Sequence, residues 1–85
     1  MLKQIKYFQL VVKHNSFTAA ANEGFISQSA ISQHIKTLER ELGVSLFNRT
    51  KRSIELTPAG EYFYKKSLIL LEDYEAICEE MQNIV

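Results

Sequence analysis

The 85 residues carry ten Lys and Arg against ten Asp and Glu, 46% hydrophobic residues and one cysteine. The apolar share excludes a disordered chain, and no apolar run reaches the ~18 residues a membrane-spanning helix needs. The zero net charge conceals a basic head, residues 1–66 at +5, and an acidic tail, residues 67–85 at −5, a split that suits a polyanionic partner for the head.

The start, MLKQIKYFQLVVKH, interrupts its apolar positions at helical period, unlike a signal peptide. It predicts a first helix over residues 2–14 that buries Leu2, Ile5, Phe8 and Val12, with Val11 alongside. Ser16 is placed to cap a second, alanine-rich helix from Phe17 to about Glu23. Ala19, Ala20 and Ala21 leave room there for another helix to approach. Gly24 is expected to stop that helix as a left-handed cap, with Phe25 and Ile26 plugging the space before the third helix. Ser27 caps that third helix, whose stripe Ile31, Ile35, Leu38 and Leu42 has helical spacing. Gly43 closes it, with Val44 supplying the apolar contact of the cap.

At 100° per residue, Ser29, Ser32, Gln33, Lys36 and Arg40 share the opposite face. That face offers hydroxyls, an amide and positive charge, and no carboxylate. Helix, short turn, helix is the helix-turn-helix arrangement, in which the second helix reads a DNA groove. Gln28 and Gln33 suit bidentate contacts to adenine, Ser29 and Ser32 a phosphate or a base, and Lys36 and Arg40 phosphates. Arg40 pairing with a nearby Glu is the alternative. Thr18 suits either a phosphate contact or a local cap. The bland reading of the whole set is an ordinary solvated face.

Leu46-Phe47 and Ile54-Glu55-Leu56 then read as short strands of a hairpin, the wing, with Arg49, Lys51 and Arg52 around its polar tip. Arg49 is open to an anchoring role; Lys51 and Arg52 are freer to reach DNA. Thr57-Pro58 starts a last helix running to about Ile84, with Gly60 marking close packing against the head. Its apolar positions Phe63, Leu70, Tyr74, Ile77, Met81 and Ile84, completed by Ser67, step by four and three like a coiled-coil seam. Tyr64, Leu68, Leu71, Cys78 and Val85 widen that stripe. The expected partner is the same helix of a second copy, the alternative being a stripe packed on the chain's own head over the first two turns. Cys78 is read as a small hydrophobe, with an intermolecular thiol switch as its alternative. The lone cysteine excludes an internal disulfide and fits the cytoplasm. His14 and His34 lack a ligand cluster, so no metal or other cofactor is expected, and no poised catalytic set supports an enzyme.

FTAAANEGFISQSAISQHIKTLERELGVSLFNR resembles the amino-terminal DNA-binding domain of LysR-type transcriptional regulators. The similarity extends from Leu2 through LTPAGEYF, with its most specific segments at Ala20-Ala21, Ser27-Gln28, Ala30-Ile31-Ser32, Leu38-Glu39, Glu41 to Val44, and Leu46-Phe47 with Arg49. The resemblance implies a mainly α fold: a winged helix-turn-helix of three helices and a small hairpin in residues 1–57, then a dimerisation or linker helix in 58–85. It also implies antiparallel pairing of that helix, higher oligomers in a full-length protein, and binding to an interrupted palindrome of double-stranded DNA near promoters. Positions Gln28, Ser29, Ser32 and Gln33 then face base edges or phosphates, and Arg52 approaches the minor groove. Whole members carry an effector-binding domain after the linker helix, so no small-molecule site is expected within these residues. Gly24 stands where leucine is usual, which calls on Phe25 to fill the vacated space. Ser29 stands where proline is common, and Gln33 where arginine is common, which removes a potential guanine contact. The expected DNA-contacting set is therefore Thr18, Ser27, Gln28, Ser29, Ser32, Gln33, Lys36, Arg40, Arg49, Lys51 and Arg52. The rival function is a winged-helix protein-interaction module that dimerises without touching DNA.

Overall fold

Local hydrogen bonds mark most of the helix boundaries: side-chain caps open the second, third and fourth helices, and left-handed residues whose amides bond back close the first three. The computed structural model describes residues 1–49 and 53–85, and among them four helices: α1 (Leu2–His14), α2 (Phe17–Gly24), α3 (Gln28–Leu42) and α4 (Pro58–Ile84). Ser16, Ser27 and Thr57 each sit in extended backbone and accept from an amide three residues on, at 3.1, 3.1 and 2.9 Å. Such caps stabilise a helix start by about 1 kcal/mol. Pro58 follows Thr57 in the first turn, where no amide hydrogen is required. Gly43, at φ 75°, closes α3 by donating its amide to Glu39 O at 2.8 Å.

The first three helices enclose one core of Ile5, Phe8, Val11, Ala20, Ala21, Ile31, Ile35 and Leu38. Ala20 and Ala21 are the buried residues of α2, and their small side chains let α1 and α3 come close. Phe8 lies at the centre, its ring 5.6 Å from those of Phe47 and Phe63 and 6.3 Å from Tyr64. Leu46 and Phe47 are buried as well. The chain leaving α3 therefore closes the base of the core.

The turn between α2 and α3 departs from the expected arrangement. Gly24 is the last residue of α2, and Phe25 takes the left-handed cap, at φ 56°. A Cβ on Gly24 would meet Tyr7 Cε1 at 3.0 Å. Tyr7 itself stacks on His34 of α3, with centroids 4.8 Å apart, and His34 Nδ1 accepts from Gln4 Nε2 at 3.3 Å. The Tyr7 ring, with Leu10 beside it, thus occupies the room a leucine would have filled. Phe25 does not plug the α2–α3 space; it is 94% exposed, and the half-buried Ile26 packs on the core in its place. Val44 is likewise exposed rather than folded over the α3 cap, because the chain buries Leu46 instead.

Of the expected hairpin, the described residues show its base. Phe47 and Leu56 form an antiparallel bridge, flanked by Asn48 N donating to Glu55 O at 2.8 Å and Thr57 N donating to Leu46 O at 3.0 Å. Helix α4 starts directly on this base. Gly60 is buried, and a Cβ there would stand 2.1 Å from Leu46 O. Only a hydrogen fits between the two backbones.

Helix α4 then runs out past the head, and its apolar stripe divides. Phe63, Tyr64 and Leu71 pack on the head. Ser67 is fully buried, accepting from Gln9 Nε2 at 3.0 Å and donating to Tyr64 O at 2.8 Å. The expected seam positions Phe63 and Ser67 therefore turn toward the chain's own core. The outer positions Leu70, Tyr74, Ile77, Met81 and Ile84 are exposed, and Cys78 is half-buried with a free thiol. Twenty-seven residues of helix span ~40 Å, which is why the longest dimension of the chain reaches 50 Å. No helix among the described residues is long and apolar enough to cross a membrane.

Candidate nucleic-acid interface

The outer side of α3 follows from its burial pattern. Ile31, Ile35 and Leu38 are fully buried, which turns Gln28, Ser29, Gln33, Lys36 and Arg40 to solvent, with Ser32 half-exposed beside them. Ser27, also exposed, supplies the cap and shares a hydroxyl contact with Ser29 at 3.2 Å. Seven side chains of this set come together along one side of α3 and its N-terminus. The start of a helix presents unpaired amide hydrogens and a partial positive charge, so the same end that carries Gln28 and Ser29 favours phosphate. Thr18 is exposed on the first turn of α2. Its capping alternative is taken by Ser16, which leaves the Thr18 hydroxyl outward.

Glu39 lies on the edge of this side, and its position bears on the local charge. Its side chain is only 14% exposed. Oε2 accepts from the amides of Leu46 at 2.7 Å and Phe47 at 3.4 Å, while Oε1 accepts from Arg49 Nη2 at 2.7 Å. The carboxylate is thereby neutralised by Arg49 and by two backbone donors, and it ties α3 to the strand that follows. Arg49 also reaches over Phe17 and Phe47, 6.0 and 5.9 Å from the ring centroids. The anchoring contact expected of Arg49 is therefore present, while 45% of its side chain stays exposed. Arg40 is exposed, as a phosphate contact requires. Lys51 and Arg52 fall outside the described residues.

Sequence reasoning missed Glu39 and the exposure of Phe25. Nothing local to Glu39 distinguishes it from a solvated acid; its partners come from residues seven to ten positions later. Away from this surface, Glu23 accepts from His14 Nε2 at 2.6 Å and Lys13 Nζ at 3.4 Å. The His14 hydrogen bond, opposed by desolvation and assisted by Lys13, holds the Glu23 carboxyl below its ordinary value of 4.5. This pair fastens the end of α1 to that of α2. Among the described residues no group of three His, Cys, Asp or Glu is placed to hold a metal ion.

Residues 2–61 match the family of bacterial regulatory helix-turn-helix proteins of the lysR type. The chain is 42% identical over 83 residues to the HTH-type transcriptional regulator BudR of Klebsiella aerogenes, covering 98% of this chain and 58% of BudR. It is 36% identical over 83 residues to the regulator BenM of Acinetobacter baylyi, covering 98% of this chain and 27% of BenM. It therefore spans between about a quarter and three-fifths of these relatives. Among solved structures, a BenM DBD complex with catB site 1 DNA superposes with a TM-score of 0.89 at 36% identity, covering 99% of this chain and 94% of that one. A CbnR DBD–DNA complex gives 0.92 at 33% identity, covering 99% and 97%.

Proposed function

The chain belongs to the lysR family of bacterial regulatory helix-turn-helix proteins, and on that premise we propose that it binds double-stranded DNA sequence-specifically, as a homodimer, to regulate transcription in the cytoplasm. The observation that carries this reading is the outer side of α3. Its amides and cations are exposed and its hydroxyls exposed or half-exposed, while the Glu39 carboxylate at its edge is held by Arg49. A side so arranged presents donors and acceptors to base edges without repelling phosphates. Gln28, Ser29, Ser32 and Gln33 take the base edges or the phosphates beside them. Lys36, Arg40, Ser27 and Thr18 hold the flanking phosphates, and Lys51 and Arg52, which lie outside the described residues, are proposed as further phosphate contacts.

The second copy meets the exposed stripe of α4. Leu70, Tyr74, Ile77, Met81 and Ile84 step by four and three beyond the head, and their exposure in the single chain supports a helix partner. Two heads on paired helices match a two-fold site with two half-sites. No enzymatic step belongs to this reading.

Duplexes selected by the chain from a random pool provide the test. The expected product is a two-fold-related motif, bound with an affinity that falls steeply as salt rises, since each phosphate contact releases counterions. Failure to retain any duplex at low salt would favour the protein-interaction module instead.

A further inference from the structure

We propose that Phe25 is a DNA-contacting, specificity-determining residue that reads thymine methyl groups at the edge of the α3 footprint; the inference rests on the DNA-binding reading above. Three observations lead to it. Phe25 has no packing role inside the chain: the residue is 94% exposed, Ile26 and the α2 alanines make the inter-helix contact, and Tyr7 fills the space beside Gly24. It also sits in the left-handed region at φ 56°, which is unfavourable for a bulky side chain and open to glycine or asparagine. The fold gains nothing from an aromatic ring there. A strained backbone carrying a wholly exposed apolar group points to a contact outside the chain.

Its neighbours indicate what that contact is. Asn22, Ser27, Gln28 and Ser29 around it in sequence are all exposed and polar. An aromatic anchor for a protein partner normally stands in a patch of apolar residues, and this turn offers none. In a major groove, by contrast, polar edges are interleaved with one apolar feature, the C5-methyl of thymine. Phe25 lies two residues before the cap of the helix that enters such a groove. The glutamines at 28 and 33 suit adenine, so a ring against thymine methyls recognises the same A·T pairs from their other base. The absence of arginine at position 33 is then matched by a reader weighted toward A·T.

The test uses a duplex selected from a random pool by the wild-type chain, prepared with thymine and again with deoxyuridine, which lacks only the methyl. Phe25→Gly and Phe25→Asn are both expected to fold, with Phe25→Gly melting a few degrees higher because the backbone strain is relieved. Both variants are expected to bind the thymine duplex about five- to tenfold more weakly than wild type. Uracil in place of the contacted thymine should weaken wild type by a similar factor and leave the variants unaffected. Undiminished affinity of Phe25→Gly would overturn the proposal and release the ring for a protein partner. An equal uracil effect in wild type and variants would overturn it too, by showing that the methyl meets another residue. Failure of the wild-type chain to select any duplex would instead remove the DNA-binding reading, and this inference with it.

Discussion

Substituting Gly60 by alanine sets two effects of opposite sign against each other. Helix propensity alone favours alanine within a helix by about 1 kcal/mol. The packing of α4 on the hairpin base opposes it. A Cβ at position 60 would stand 2.1 Å from Leu46 O, 3.0 Å from Leu46 C and 3.0 Å from Leu56 Cδ2. Two of these three atoms belong to backbone, so no rotamer change relieves the overlap. Overpacking of this kind costs about 1–3 kcal/mol. Leu46 O also accepts from Thr57 N at 3.0 Å, and pushing that carbonyl aside loses a hydrogen bond of about 1 kcal/mol. The net expectation is a loss of about 2 kcal/mol, a large share of the stability of a domain this small. Thermal and urea denaturation followed by circular dichroism, at equal protomer concentration, should show a melting temperature lower by about 10 °C. A Gly60→Ala chain as stable as wild type, or more so, would refute the close approach of α4 to Leu46.

Glu39→Gln removes the charge that holds Arg49 while leaving one acceptor for the Leu46 and Phe47 amides. It is expected to cost about 1–2 kcal/mol, with partial exposure of Arg49 keeping the figure low. Adding Arg49→Ala should cost less than the sum of the single changes; strict additivity in that cycle would deny the clamp. Ile77→Asp places a charge on the exposed stripe of α4, and sedimentation should find a monomer with its head still folded. A persistent dimer would move the contact elsewhere. The depressed Glu23 carboxyl contributes stability above the ordinary carboxylate value, and that contribution is lost as pH falls through the lowered one. Glu23→Gln should accordingly narrow the stability difference between neutral and acid solution in urea titrations, and an unchanged difference would remove the His14 contact as its cause.

The helix boundaries were legible because their determinants are local. Ser16, Ser27 and Thr57 cap within three residues, Pro58 and Gly43 act on their own backbone, and the apolar stripe of α3 repeats at one period. The turn was not legible because its geometry is decided from a distance. Gly24 invites a left-handed assignment by its residue type, but it ends α2 beneath the ring of Tyr7, seventeen positions upstream, and the left-handed residue is Phe25. The same limit applies to the site. The outward set on α3 could be read from periodicity, while the neutralising of Glu39 depends on where Leu46, Phe47 and Arg49 arrive after the α3 cap. On α4 a single stripe was visible, but not the point where it changes partner. Phe63 and Ser67 belong to the head because Phe8 and Gln9 on α1 stand opposite them, which no pattern within α4 could reveal.

Gly60, Ser67 and Leu71 seat α4 on the head, and together they set its rotational phase. One residue inserted after Leu71 would leave every head contact in place yet turn Tyr74, Ile77, Met81 and Ile84 by about 100°. The stripe would then face a new direction, without any change to the surfaces themselves. An insertion of seven or eleven residues would lengthen the helix by roughly 10 or 16 Å and shift its azimuth by only about 20°. Length along this helix can therefore drift between related proteins in such steps, whereas single-residue insertions and deletions should be absent from the segment beyond Leu71.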